Sequence, residues 1–168
     1  MSNWHWLGNL FCLHTHDEIV LIPKPEIPDD AWHTMPCSEV KGWLEEHELH
    51  IMNSGEADIL QNLDATYWYT TPAWTAAIIY YIYETTKVPG YKTGRFDCDG
   101  FALWLKGQFE IEFGHNANAF TIGRKPGPHA YNTILTTDGW YNFEPQDKYT
   151  REMFPYNTKG YEAEAVLV

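Results

Sequence analysis

The sequence Phe-Asp-Cys-Asp-Gly-Phe-Ala-Leu-Trp-Leu, residues 96–105, joins the end of a loop to an apolar pattern of helical period. Cys98 lies in the first turn of the predicted helix, where unpaired backbone N–H groups favour a thiolate over a thiol. His129 and Glu144 follow further along the chain. A cysteine at a helix start, a histidine and a carboxylate are the groups that nucleophilic thiol chemistry requires. The sequence therefore predicts a site at which these three side chains converge.

The composition is that of an ordinary globular protein. The chain has 168 residues, of which 44% are hydrophobic and 20% are charged, and this length predicts a single domain with a sizeable core. The formal net charge of -12, with eleven Lys and Arg that form no run, disfavours nucleic acid and anionic membrane surfaces as partners. Eight Trp, eleven Tyr and eight Phe are compatible with an aromatic-rich core or with a groove for sugar or peptide.

The termini and cysteines indicate where the protein acts. The N-terminus shows neither the basic segment nor the apolar run of a signal peptide, and no apolar stretch reaches the length of a membrane span. Three cysteines cannot all pair within one chain, which favours reduced thiols. We expect a cytoplasmic or virion-associated protein.

A second cluster of chemically active side chains lies near the N-terminus. Cys12, His14 and His16 would share one face of an extended segment and could present a thiol and two imidazoles to zinc. Three ligands within five residues is an unusual spacing, so incidental histidines at the start of a half-buried strand are favoured. We therefore expect no metal and no other cofactor, and keep this zinc site as an alternative.

The pattern of elements predicts an α+β fold. Helices are predicted after Ser38, after Thr71-Pro72 and after Cys98, and strands at 118–123, 130–136, 140–143 and 163–168. Helices therefore come first and an antiparallel meander follows. Residues 1–70 are an N-terminal elaboration with an extra strand at 18–22 and helices, and residues 71–168 form the predicted core of the single domain.

The predicted hairpin decides whether His129 and Glu144 can meet. If Asp138-Gly139 is a two-residue turn, Glu144 lies opposite Thr133, too far from His129 for contact in a flat ladder. A bulge, the sheet twist or a shifted register would be needed to bring the pair together. Asn142 and Gln146 are therefore alternative residues for orienting His129.

Each member of the predicted triad has a role. Cys98 attacks a carbonyl as the thiolate, His129 transfers the proton, and Glu144 holds the imidazole in one tautomer. Asp97 and Asp99 flank the thiol and oppose its ionisation. The Cys98 backbone N–H is one candidate oxyanion donor. Substrate contacts are assigned to four further residues: Trp74, Tyr91, Asp99 and Trp104.

The motifs Phe-Asp-Cys98-Asp-Gly-Phe-Ala-Leu, His129-Ala and Glu144-Pro resemble the transglutaminase-like superfamily of papain-related cysteine enzymes, and most closely the bacterial transglutaminase-like cysteine proteinases. The resemblance covers about residues 91–146. It implies a papain-like core with the nucleophile helix on a small antiparallel sheet, and a Cys98–His129–Glu144 triad. Glu144 departs from the aspartate usual in that family, and Gly100 stands where a larger acidic residue is common.

Two functions follow as alternatives. The first is a cysteine-dependent hydrolase or acyltransferase, a thiol protease or amidase, acting on a peptide or protein substrate such as a cell-wall peptide. The second is a catalytically inactive binding or structural module of the same fold with an aromatic-rich ligand surface. For both functions we expect no nucleic acid and no membrane as a partner.

Overall fold

The computed structural model describes residues 21–51, 64–146 and 151–168. A short 3-10 turn at Asp29–Ala31 precedes three helices and eight strands in these ranges. In chain order the elements are β1 (His33–Pro36), α1 (Cys37–Glu46), β2 (His50–Ile51), β3 (Thr66–Tyr69), α2 (Pro72–Thr85), α3 (Cys98–Phe113), β4 (Asn118–Arg124), β5 (Pro128–Thr136), β6 (Gly139–Phe143), β7 (Met153–Pro155) and β8 (Glu162–Leu167). None of the described helices is long and apolar enough to cross a membrane.

The strands form two sheets. The larger has the order β2-β8-β4-β5-β6-β7, in which β2 runs parallel to β8 and every other neighbouring pair is antiparallel. The smaller consists of β1 and β3, antiparallel, with His33 opposite Tyr69. Because β2 comes from the N-terminal part of the chain, the large sheet draws on both predicted parts of the chain.

Helices cover both faces of the large sheet. Ile134 and Leu135 are adjacent on β5, so their side chains point to opposite faces. Leu135 packs in a cluster with Val40 and Leu44 of α1, whereas Ile134 packs with residues of α2 and α3, including Leu105. The central strand is accordingly buried on both sides, which explains why residues 130–136 contain no exposed position.

The predicted helix at Cys98 is confirmed. It runs to Phe113 and ends at Gly114, whose φ of 67° is the left-handed conformation that glycine adopts without strain. Leu105 and Phe109 are fully buried, and α3 packs against β4 and β5. The start of α2 is also as predicted, because the Thr71 hydroxyl accepts a hydrogen bond from the third residue of the helix.

The hairpin register differs from the prediction. Thr136 pairs with Gly139, so the two loop residues are Thr137 and Asp138 rather than Asp138 and Gly139. Gly139 has a φ of 108° and supplies the backbone conformation that the turn requires. Thr133 therefore faces Asn142, and this shift moves Glu144 two residues along β5 towards His129.

The predicted fold class, an α+β papain-like or transglutaminase-like core with a small antiparallel sheet, is wrong. The large sheet has six strands, five of them antiparallel, and it incorporates β2, which precedes the predicted core. Strands β1, β2 and β3 were missed because two to four residues are too few to show a period-two pattern. The order of strands and helices along the chain is consequently interleaved rather than helices followed by strands.

Candidate functional site

His129 and Glu144 form a close pair. His129 Nε2 lies 2.6 Å from Glu144 Oε2, and both side chains are largely buried. Burial by itself raises the pKa of Glu144, but the hydrogen bond and charge of His129, with a smaller contribution from Lys125, hold that pKa below its usual value. Since Glu144 occupies Nε2, the imidazole nitrogen that remains for another partner is Nδ1.

Lys125 and Tyr161 enclose this pair on one side. Lys125 Nζ lies 3.5 Å from Glu144 Oε2 and 4.5 Å from the centre of the Tyr161 ring. The other Glu144 oxygen accepts the backbone N–H of Gln146 at 3.2 Å. Both oxygens of the carboxylate are therefore engaged, which fixes its position against His129.

The alternative partners of His129 have other contacts. Asn142 is fully buried, accepts a hydrogen bond from Thr133 at 2.9 Å and donates one to the Tyr156 carbonyl at 2.9 Å. Gln146 contributes its backbone N–H to Glu144. Of the three residues considered, Glu144 is the one that the structure places on the imidazole.

Cys98 lies at the start of α3 and is half-buried. It packs against the cluster of Ala102, Phe120 and Ala130. Among the described residues the structure shows no hydrogen bond between Cys98 Sγ and His129. His129 directly precedes Ala130 on β5, and its ring stacks against that of Tyr131 with centroids 6.2 Å apart.

Two carboxylates flank the Cys98 thiol. Hydrogen bonding to Asp99 and to the backbone N–H of Gly94 lowers the pKa of Asp97, so this carboxylate remains negative. Ligand atoms of Asp97, Cys98 and Asp99 lie within 4.8 Å of one another. They could contact a cation, but such acidic clusters are common on protein surfaces. The predicted zinc ligands Cys12, His14 and His16 lie outside the described residues.

The four predicted substrate-binding residues differ in burial. Trp104 packs in the apolar cluster of α2 and α3, with its ring edge-on to Tyr83 at 5.4 Å. Trp74 is half-buried in the first turn of α2. Tyr91 and Asp99 are exposed. Trp104 thus contributes to packing, and all four substrate-binding assignments stay predictions.

Gly100 has a steric function. A Cβ atom at this position would lie 2.9 Å from Cδ2 of the Phe96 ring. That ring also packs edge-on against Phe101, with centroids 4.9 Å apart. The glycine thus allows the loop before Cys98 to fold back onto the first turn of α3.

A second candidate site is an aromatic groove with a volume of about 530 Å³. Trp43 of α1 stacks on Trp140 of β6, with centroids 4.5 Å and planes 23° apart. His47 stacks on Trp43 at 4.4 Å, and Tyr156 meets Trp43 edge-on at 4.8 Å. The groove is lined by twelve residues, namely Met35, Trp43, His47, Tyr69, Leu135, Thr136, Thr137, Gly139, Trp140, Pro155, Tyr156 and Asn157.

Three segments of the chain bring these rings together: Trp43 lies on α1, Trp140 on β6, and Tyr156 directly after β7. The four-residue spacing of Trp43 and His47 puts both on one face of α1, and the His47 ring Nδ1 lies 2.8 Å from the Trp43 carbonyl oxygen. The backbone N–H of Tyr156 donates to the Trp140 carbonyl at 3.1 Å, and its own carbonyl accepts from Asn142. The sequence showed the excess of aromatic residues but not this groove, because its members come from elements far apart in the chain.

Comparison with known proteins gives structural neighbours alone. No family model and no curated protein matches the chain. The chain is similar to a solved structure described as the "PSL1a-E64 complex", with a TM-score of 0.59, 20% identity, and coverage of 80% of this chain and 50% of that chain. It is also similar to the Polyporus squamosus lectin bound to the epitope Neu5Acα2-6Galβ1-4GlcNAc, with a TM-score of 0.58, 20% identity, and coverage of 80% and 49%. The chain thus spans about half the length of these neighbours.

These neighbours overturn the family assignment. The resemblance to transglutaminase-like cysteine proteinases is wrong, because the solved structures that share the fold are described as PSL1a and a lectin. The hydrolase and thiol-protease classification, which depended on that resemblance, is withdrawn with it. The motifs around Cys98, His129 and Glu144 are each only a few residues long, so they matched the family without determining the fold.

Proposed function

We propose that this protein is a carbohydrate-binding module and that the aromatic groove is its binding site. The observation that carries the proposal is the stack of Trp43 and Trp140 at the wall of an open groove. The lectin neighbour, whose description names a glycan, supports the same class of ligand.

The groove has the two kinds of surface that a sugar needs. Pyranose rings have apolar C–H faces that pack on aromatic rings and hydroxyl groups that require hydrogen-bond partners. Trp43 already stacks on two rings, so we assign the sugar-facing platform to Trp140 and Tyr156. Tyr69 and Asn157 supply a hydroxyl and an amide group beside them.

Calorimetric titration with Galβ1-4GlcNAc, part of the glycan bound by the lectin neighbour, tests the proposal. Trp140→Ala should weaken binding at least about tenfold, as expected for a central aromatic contact worth more than about 1.4 kcal/mol. Trp104→Phe is the matched control, since Trp104 packs between α2 and α3 and does not line the groove. Equal loss of binding in both variants would contradict the assignment of the groove.

A second candidate function is thiol-dependent acyl transfer to or from a peptide-like amide. Two observations support it. His129 Nε2 is bonded to Glu144, which leaves Nδ1 for another partner, and Cys98 lies at the start of a helix. In this mechanism the Cys98 thiolate attacks the carbonyl carbon, the amine leaves with a proton from His129, and the acyl group passes to an acceptor.

Competitive alkylation with iodoacetamide tests the second candidate. Cys98 should react faster than Cys37, the other described cysteine and likewise half-buried, and His129→Ala should abolish the difference. Equal labelling of both cysteines in the folded protein would rule the candidate out.

A further inference from the structure

We propose that the groove selects uncharged glycans and discriminates against sugars that carry a carboxylate, such as sialic and uronic acids. This inference rests on the proposed carbohydrate-binding function and adds the chemical class of the ligand. It is drawn from the groove's own side chains and charges.

The polar groups at the groove wall suit hydroxyl groups. The Thr136 hydroxyl is already engaged with the Gly139 carbonyl and the Asp138 N–H, and the Thr137 hydroxyl donates to the Asp138 carboxylate. Tyr69 and Tyr156 each present a hydroxyl that can donate and accept, and Asn157 presents an amide that does both. A sugar hydroxyl also donates and accepts, so each of these groups can pair with it in either direction. Binding of a neutral sugar then buries no unpaired charge.

A carboxylate would find no permanent cation in the groove. Proteins bind carboxylates chiefly through Arg or Lys, and neither residue type is present among the twelve described residues that line the groove. His47 is the one basic side chain of the lining. Its Nδ1 is already placed against the Trp43 carbonyl at 2.8 Å, so one of its two ring nitrogens is occupied.

The surrounding charge adds repulsion. Glu46 directly precedes His47, and Asp138 lies between the lining residues Thr137 and Gly139. Lys41, the one lysine of α1, is 3.7 Å from Glu45 and is thereby partly compensated. The whole chain has a formal charge of -12. An anionic sugar therefore approaches a negative surface, and salt will screen that repulsion.

Two glycans that differ by one charged residue provide the test. Galβ1-4GlcNAc and Neu5Acα2-6Galβ1-4GlcNAc are titrated into the full chain at pH 8 in about 20 mM salt, where screening is weak. We expect the neutral disaccharide to bind at least about tenfold more tightly. At about 500 mM salt the difference should narrow, because part of it is long-range repulsion.

A substitution that adds a positive charge to the groove tests the same selectivity in the opposite direction. Thr137→Arg places a guanidinium at an exposed turn position in the groove wall and should raise affinity for the sialylated glycan several-fold, while Thr137→Gln serves as the uncharged control. Equal or tighter binding of the sialylated glycan by the unmodified protein would overturn the selectivity and leave the binding function intact. If neither glycan binds, the binding function and the selectivity both fall.

Discussion

His115 provides a pH-dependent test of the packing between α3 and the N-terminal segment. Its side chain is fully buried, and neither ring nitrogen has a hydrogen-bond partner among the described residues. The ring lies edge-on to Phe109 at 5.1 Å and to Trp32 at 6.1 Å. Burial lowers the pKa of His115 to about 3, because the imidazolium would be desolvated in this apolar site.

The size of the effect follows from proton linkage. Below about pH 6.5 the unfolded chain binds a proton at this position, whereas the folded chain does so only near pH 3. The stability associated with the neutral ring is therefore present above pH 6.5 and is lost as the pH falls from 6.5 to about 3. Between pH 7 and pH 5 this one group should cost about 2 kcal/mol of unfolding free energy.

Urea unfolding of the wild type and of His115→Leu at pH 7, 6 and 5 measures this cost. We expect the variant to lose about 2 kcal/mol less than the wild type over that range, since both proteins share every other titrating group. At pH 7 the variant should be at least as stable, because two unpartnered buried nitrogens are removed. His33→Gln, at an exposed site, is the control. Parallel pH profiles for wild type and His115→Leu would refute the reasoning.

Three further substitutions test the scaffold by chemical denaturation. Gly123→Ala should lower the free energy of unfolding by at least about 2 kcal/mol, because its Cβ would lie 2.1 Å from the Glu162 carbonyl oxygen at the β4–β8 bulge. A denaturation midpoint equal to that of the wild type would contradict this contact. Asn142→Ala should lower the free energy of unfolding by about 2 kcal/mol and also weaken glycan binding, because it leaves the Tyr156 carbonyl unpaired. Unchanged binding would show that this bond does not position Tyr156 in the groove. Thr71→Ala should cost about 1 kcal/mol through loss of the α2 cap, and an unchanged midpoint would mean the cap contributes nothing.

The helices were predictable because their signals are local. The turn at Thr71-Pro72 and the apolar period after Cys98 each determine a helix start without reference to the rest of the chain. The sheet was less predictable, since β2 has two residues and joins β8 from the far end of the chain. Its pairing depends on tertiary contacts that a short stretch of sequence does not encode.

The His129–Glu144 pair shows what sequence can and cannot specify. The residues were identified from their chemistry, but the predicted hairpin register kept them apart. The two-residue shift at Thr136–Gly139 brings them to 2.6 Å. Register depends on the conformation of the turn, and an Asp-Gly pair is compatible with more than one loop placement. The same motifs led to the wrong family because short catalytic patterns recur on unrelated folds.

The groove could not be derived from the sequence at all. Trp43 and Trp140 are stacked through the packing of α1 against the sheet, and nothing local relates them. Their apolar surroundings also make them resemble core residues in any periodicity pattern.

Titration of Galβ1-4GlcNAc with intrinsic tryptophan fluorescence as the readout tests the central proposal most directly. Binding in the groove should change the emission of wild type and of Trp104→Phe to a similar extent, because the ligand contacts the Trp43–Trp140 stack. Trp140→Phe should lose most of that change and bind more weakly. A saturable signal in Trp140→Phe equal to that of wild type, or no binding by any of the three proteins, would contradict a carbohydrate-binding groove.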